Sequence, residues 1–401
     1  MTAGRSFLNR MNRPDDFRWA NLFTPGIFLA VTFLIVMIPL ERSGWNVTST
    51  VNFLAFFGTF VAIFAIFSLG LNVHWGYTGI LNFGVMAFFL VGANTAAIIT
   101  KSPPNSDVVR YVGGFGDKLD FIPYVASDQW LPFVFGLMGA ALLCGVLAFL
   151  LSIPALRLRE DYLAIATIGI AELLRRITIE ERGLVNGTGG LTGIPRPLAD
   201  LVDPSDYTFV ILGISVVILV FLYLAIERGI RSPWGRVLRA VREDELTTAA
   251  SGKHVFSFKS QSFVFGAMVM GVGGALYGFA NSTVSPSTFT HFFGTFIIWA
   301  MLIVGGSGNN KGAILGAYVV WGFWTITSLL KGYPLPEFLD LRIFFVRDFL
   351  IGVLIVTALL LRPQGLLPEV KRVSLWVDRK ARQLQKDSPQ SAKTTSPPDP
   401  P

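Results

Sequence analysis

The chain has 401 residues, of which 52% are hydrophobic and only 15% charged, with a mean hydropathy of +0.57 and a formal net charge of +7. That balance excludes an ordinary soluble domain and describes helices packed in lipid, where the 40 glycines let backbones approach closely. The single cysteine, Cys144, and three scattered histidines exclude a disulfide framework and assign no metal ligands; the positive charge reads as basic inner loops, not as a nucleic-acid surface.

Residues 1–25 form a polar, arginine-bearing segment without a cleavable signal. Apolar runs bounded by charge or by Pro and Gly then predict about ten transmembrane helices, at 26–41, 50–70, 83–100, 131–153, 162–178, 207–227, 261–282, 293–306, 313–331 and 344–361. The fold class is therefore all-α and polytopic. With the N-terminus inside, the inner segments 1–24, 154–161, 228–260 and 362 onward carry 21 of the 33 Lys and Arg residues, against 8 on the outer segments. That bias places both termini in the cytoplasm. Arg175 and Arg176 are exceptions near the outer end of the fifth span; they either pair with Glu180 and Glu181 or mark a short, tilted helix. The tail at 371–401 is rich in Pro and Ser and reads as largely disordered.

Polar groups inside spans are expensive and mark candidate pathways. Asn72 and His74 flank Gly76-Tyr77-Thr78-Gly79, a predicted helix break whose exposed N–H groups suit a carboxylate. His74 reads as a satisfied interior histidine rather than a proton relay. Tyr77, Asn82, Asn94, Thr167 and Glu172 complete the solute-pathway candidates. Glu172 either receives the amino group of a zwitterion or pairs with Arg175 or Arg176 at helical spacing.

In the loop at 228–260, Pro233 is a helix start and Gly252 a stop. Val237, Leu238, Val241, Leu246, Ala249 and Ala250 make one apolar side of a single amphipathic helix. Arg236, Arg239, Arg242, Glu243, Asp244 and Glu245 make the polar side. Such a helix either docks a soluble partner or lies on lipid headgroups. The stretch VGGSGNNKGAILG at 304–316 fails as a phosphate loop, because Asn310 and Gly312 stand where a Gly and a Ser or Thr are required. This chain is therefore not expected to bind ATP by itself. Gly305, Gly306, Gly312 and Gly316 read instead as a turn and a G-x-x-x-G packing step, with a hinge as the second possibility.

SPWGRVLRAVREDE at 232–245 resembles the coupling loop of branched-chain amino-acid type ABC transporter permeases, the LivH/LivM type, and is closer to LivM. GYTGILNFGVMAFFLVGANTAA at 76–97, DYLAIATIGIAELLRR at 161–176, NGTGGLTGIP at 186–195, IVGGSGNNKGAILGA at 303–317 and LLLRPQGLLPE at 359–369 extend the resemblance over roughly 50–370. The resemblance implies a permease domain at 26–370 in a bacterial inner membrane, not an enzyme and without a cofactor of its own. It implies a LivH-type second permease, two cytoplasmic ATPase subunits that hold ATP and magnesium, and an extracytoplasmic solute-binding protein. In that scheme Arg236, Arg239, Arg242, Glu243 and Glu245 contact an ATPase, Gly252 ends the coupling helix, and 186–193 faces the binding protein or is only a flexible loop. The implied solutes are neutral or branched-chain amino acids, with urea and short amides as the alternative. An ion-coupled carrier would need acid or histidine relays, for which only Glu172 and the Arg347-Asp348 pair stand. One departure is Asn82-Phe83-Gly84-Val85-Met86, where many members resemble S-L-G-H-A, so the preference need not be that of a typical leucine carrier.

Overall fold

The structure is a computed structural model that describes residues 17–101, 130–199, 202–203, 206–330 and 342–369. The expected tail, the start of the N-terminal segment, most of the 101–130 loop and most of the 331–343 loop lie outside those residues.

The helices are α1 (Phe17–Arg42), α2 (Val47–Leu71), α3 (Val85–Thr100), α4 (Trp130–Ala155), α5 (Glu160–Glu180), α6 (Arg182–Val185) and α7 (Tyr207–Arg231). They continue as α8 (Pro233–Glu243), α9 (Glu245–Ala250), α10 (Val255–Asn281), α11 (Ile297–Gly305), α12 (Asn310–Leu330) and α13 (Ile343–Leu361). Wide π-type turns extend α2 over Asn72–Tyr77 and precede α11 over Phe292–Phe296. Two short strands, β1 (Leu191–Thr192) and β2 (Thr283–Val284), pair antiparallel with Leu191 opposite Val284.

The chain is a polytopic helical membrane protein. Among the described residues, seven helices are long and apolar enough to cross a bilayer, and Val85–Thr100 and Phe292–Gly305 are shorter apolar helices. The predicted fifth span is α5, which is not one of the seven and carries Glu172, Arg175 and Arg176.

Helices α7 and α10 reach farther than their apolar runs. At 1.5 Å per residue, the 25 residues of α7 span about 38 Å, more than a hydrocarbon core of about 30 Å. The connection expected at 228–260 therefore shrinks to 232–254. The single helix expected there is also two. Asp244 turns extended (φ −160°, ψ 113°) and its carboxylate accepts from the Thr247 amide at 2.7 Å, capping a new helix. That amide bond holds the exposed Asp244 carboxyl below its ordinary pKa.

Buried α2 is the centre of the bundle, packed on α7, α10 and α12, while α10 also packs on α3 and α4. Phe60 and Phe64 of α2 stack on Trp321 of α12, with centroids 5.4 and 4.6 Å apart. Bare backbone sets the closest approaches. A Cβ on Gly92 would lie 2.3 Å from the Gly271 carbonyl oxygen, and one on Gly305 would lie 2.0 Å from that of Gly312. Helices α11 and α12 thus meet backbone to backbone at Gly305, Gly312 and Gly316.

The segment after α13 folds back on this crossing. The Leu366 and Leu367 amides donate to the Val304 and Gly305 carbonyls at 2.8 and 2.9 Å, and Thr24 Oγ1 donates to the Leu366 carbonyl at 3.0 Å. Gly306 (φ +113°) ends α11 beneath this segment, in a conformation open to glycine.

Gly316→Ala would place its Cβ 1.8 Å from the Met301 carbonyl oxygen, whereas Gly213→Ala meets nothing within 4 Å. Overpacking of this kind costs about 1–3 kcal/mol. The expected outcome is a lower melting temperature and yield in detergent for the first variant and wild-type values for the second, checked by thermal unfolding of both.

Candidate functional site

The site is built around a helix that stops inside the protein. The turn at Asn72–Tyr77 ends α2, so its last carbonyls lack partners within the helix. Each has another. Thr78 Oγ1 and Ser262 Oγ of α10 lie 3.0 and 3.1 Å from the Val73 carbonyl and 2.6 Å from each other, so one hydroxyl donates to the carbonyl and the other to its neighbour. The His74 and Trp75 carbonyls accept from the Ile80 and Gly79 amides at 2.8 and 3.0 Å. The Gly76 carbonyl accepts from the guanidinium of Arg242 on α8.

The next residues, 79–84, are non-helical although buried or half-buried. His74 Nε2–H donates to the Phe263 carbonyl at 2.8 Å, which leaves Nδ1 as acceptor for the Asn82 amide at 3.1 Å. Gly266 permits this, because a Cβ there would sit 2.4 Å from His74 Nε2. Asn82 Oδ1 accepts from the Gly84 amide at 2.8 Å, and Trp299 Nε1 donates to the Asn82 carbonyl at 3.0 Å. The Phe83 amide donates to Thr167 Oγ1 of α5 at 3.1 Å, and the Met86 amide to Thr295 Oγ1 at 3.2 Å. Three elements therefore hold one irregular strand of backbone.

Asn82, Gly84, Phe88, Thr167 and Phe263 are among the residues lining a cavity of about 10 Å³. That is room for about one water, so the side chains of α3 and α5 are closely packed at this level. On the side of the break toward α8, a second cavity of about 300 Å³ is lined by Trp75, Gly76, Gly79, Glu160, Arg242 and Ser307.

The turn is also tied to the glycine loop. Asn72 Oδ1 accepts from the Gly308 amide at 2.8 Å and Asn72 Nδ2 donates to Asn310 Oδ1 at 3.0 Å. Asn310 Nδ2 donates to Glu227 of α7 at 2.8 Å, and Glu227 pairs with Arg231 at 2.7 Å. Asn72 and Asn310 are buried, so this chain of amides is the internal partner of groups that would otherwise be stranded.

The expected residues separate into groups. Asn82 and Thr167 meet at the break, and Tyr77 is buried there with the Arg239 guanidinium 6.0 Å from its ring centroid. Asn94 stands apart on α3, donating to its own Leu90 carbonyl at 2.9 Å. Glu172 lies toward the opposite end of α5, held by Arg175 through two bonds of 2.9 and 2.7 Å, by Arg176 at 2.9 Å and by His291 at 3.4 Å. Its partners are thus the two arginines at helical spacing, and those arginines point to Glu172 rather than on to Glu180 and Glu181.

The polar side of the loop divides as well. Arg239 Nη2 donates to the Ile230 carbonyl at 3.1 Å, capping α7, and Arg242 caps the buried turn. Neither faces outward, against the expectation for all three arginines, because buried carbonyl ends claim both guanidinium groups. Arg236 and Glu243 are exposed, and Glu245 pairs with Lys259. The apolar side is split by the break at Asp244. Leu238 and Val241 are buried against the bundle, whereas Leu246 is 84% exposed and Ala249 and Ala250 are exposed beside it. Gly252 follows with φ +81° and nothing near it. Ser262, Thr295, Trp299, Asn310 and Glu227 escaped the sequence reading as parts of this site; for Ser262, Thr295 and Asn310 the available signal was a small polar or amide group beside an apolar run.

A family model described as the permease component of the branched-chain amino acid transport system matches residues 53–359. A protein named as a probable branched-chain amino acid transport permease LivM from Methanocaldococcus jannaschii is 31% identical over 77% of this chain and 91% of its own length. The LivM permease protein of the high-affinity branched-chain amino acid transport system of Escherichia coli is 29% identical over 77% of this chain and 69% of its own. The autoinducer 2 import permease LsrC from Yersinia enterocolitica is 23% identical over 48% of this chain and 51% of its own length. No solved structure matches the chain.

Thr167→Val removes the acceptor of the Phe83 amide, and a buried N–H left unpaired costs about 1–3 kcal/mol. The expected outcome is a lowered melting temperature in detergent for Thr167→Val and a near-native one for Thr167→Ser, which keeps the oxygen. Equal melting of the two variants would show that the bond does not hold the break.

Proposed function

Because the chain belongs to the family of branched-chain amino acid transport permeases and is a permease subunit of an ABC importer, we propose that it forms part of the path for neutral, branched-chain amino acids across a bacterial inner membrane. It works with a LivH-type second permease, two cytoplasmic ATPase subunits that carry ATP and magnesium, and an extracytoplasmic solute-binding protein. Residues 26–370 are the permease domain, with the N-terminus, the 232–254 connection and the tail on the ATPase side.

The observation that carries this reading is the α8–α9 unit. A large apolar side chain at a helix start, Leu246, stands almost free between exposed Glu243 and Ala249. A helix lying on headgroups would turn its apolar face to lipid and its arginines to water. Here Arg239 and Arg242 point back into the protein, and the face that is left outward mixes one leucine, small residues, acids and the single arginine Arg236. That composition fits a knob for a protein groove. In this arrangement Leu246 enters the ATPase, Arg236, Glu243 and Glu245 rim it, and Gly252 lets the chain turn back toward α10.

The solute passes along the break, where Tyr77, Asn82 and Thr167 are the candidate polar side chains. All are neutral, which suits a solute whose selection is made by the binding protein. Glu172 is already held by Arg175 and Arg176 one turn on and serves to brace α5 internally rather than to receive a solute amino group. The glycines at 305, 306, 312 and 316 form the packing step that holds α11 and α12 together as one unit.

The test is uptake of labelled leucine, alanine, glutamine and urea in cells lacking the gene, restored with wild type or with Leu246→Glu at equal membrane levels. Loss of leucine uptake, rescued by wild type only, is the expected result. Burying a leucine contributes about 1.5–3 kcal/mol, so Leu246→Glu should weaken copurification of the ATPase subunits about tenfold or more. Loss of urea uptake alone would move the substrate to short amides, and full rescue by Leu246→Glu would remove α9 from the ATPase interface.

A further inference from the structure

We propose that Arg242 is the positioning residue that carries movement of the α8–α9 unit into the membrane domain, by gripping the carbonyl end of the buried turn at Asn72–Tyr77. The inference rests on the reading of α8–α9 as the ATPase contact.

The geometry starts from an accounting of carbonyls. Of the carbonyls at 73–76, those of Val73, His74 and Trp75 are satisfied by groups of the turn itself or by Ser262 of the membrane helix α10. The Gly76 carbonyl takes its donor from α8. A guanidinium at a helix C-terminus is doubly favourable, because it satisfies a stranded oxygen and opposes the negative end of the helix dipole. Arg242 is only 24% exposed, and its side chain packs on Gly79, whose Cβ position lies 3.2 Å from Arg242 Cγ. The 300 Å³ cavity beside the contact gives the turn room to move with it.

The other end of the same turn controls the path. His74 holds Asn82, Asn82 fixes Gly84, and the backbone between them reaches Thr167 on α5 and Trp299 on α11. A displacement of α8 applied at Gly76 thus reaches the 10 Å³ cavity through a few buried hydrogen bonds. The second tie between the loop side and the turn, Asn72 to Gly308 and Asn310, anchors to α7 and not to α8. It acts as the fulcrum. Arg239 fixes α8 to the end of α7 and Trp234 Nε1 donates to Gln261 of α10 at 3.1 Å, so α8 pivots about its N-terminal end.

The test uses the complete transporter in proteoliposomes, measuring uptake of the same labelled solutes, ATP hydrolysis and retention of the ATPase subunits. Arg242→Ala is expected to keep the ATPase bound and ATP hydrolysis within about twofold, while uptake falls at least about tenfold, inside the usual range of coupling factors. Arg242→Lys, which keeps a charged donor, should recover part of the uptake. Gly79→Cys with Arg242→Cys then supplies a replaceable link. The Cβ positions lie 3.7 Å apart, within disulfide range, and buried Cys144 can stay. Reduced, this pair should behave as Arg242→Ala; oxidised, it should regain uptake, because α8 and the turn move together. A Gly79→Cys control is included because φ is +77° there, and where that control is impaired Arg242→Ala and Arg242→Lys decide the matter. Wild-type uptake by Arg242→Ala, a parallel fall of uptake and hydrolysis, or an oxidised pair that stays inactive beside an active Gly79→Cys control overturns the inference. Failure of the ATPase to copurify with wild type would instead remove the docking reading beneath it.

Discussion

A helix that ends inside a membrane protein leaves its last carbonyls in surroundings where water cannot serve them. Everything distinctive about this bundle follows from how the end of α2 at 73–76 meets that constraint. The hydroxyl pair of Thr78 and Ser262, two amides of the returning chain, and one arginine from a different layer supply the donors. The returning strand at 79–84 is then irregular too, and its own groups must be met in turn. They are met by Thr167, Thr295, Trp299 and the Asn82 side chain. The result is a small polar knot where α2, α3, α5, α8, α10 and α11 converge.

Such a knot needs close walls. Glycines on α10 provide them, since Gly266 makes room for His74 and Gly271 lets α10 lie against Gly92 of α3. The crossing of α11 and α12 is equally tight and is closed by the chain after α13, where Gly306 and Gly365 stack bare backbone on bare backbone. Small residues at helix contacts gain dispersion energy where lipid offers no hydrophobic drive to association. They also make the crossings intolerant of any added carbon, so the parts that shift do so as units. The break and the α8–α9 unit are the less regular pieces between those units.

Much of this was legible in the sequence. Apolar runs marked the helices, because about 20 residues of uniform hydropathy have few other uses. Gly76-Tyr77-Thr78-Gly79 marked the break because glycine and a following polar run cannot continue a helix quietly. Gly312 and Gly316 marked a close crossing at the right spacing. What stayed hidden were partners far along the chain. Nothing near Arg242 signals a carbonyl 166 residues away, and nothing near Asn72 signals Asn310. The amphipathic pattern at 233–252 also concealed its own interruption. Asp244 is compatible with a helix face and with an N-cap, and only the capped Thr247 amide distinguishes the two.

Glu172 shows how far local spacing can be trusted. An acid three and four residues before two arginines predicts an ion pair, and the carboxylate is held by both, one of them bidentate. For a solute ammonium to take that place, it would have to displace a planar, two-point donor with a single-point one. Arginine keeps the advantage in geometry and in its weaker hydration. His291, from the turn before α11, closes the same cluster at 3.4 Å, so the group joins α5 to the segment that leads into the glycine crossing. Helix α5 carries Thr167 at the break and Glu172 at this clasp, five residues farther on the same helix. The arginine pairs lie within α5 and brace it as a rigid helix, so Thr167 and Glu172 keep a fixed angle about its axis while Thr167 Oγ1 meets the Phe83 amide.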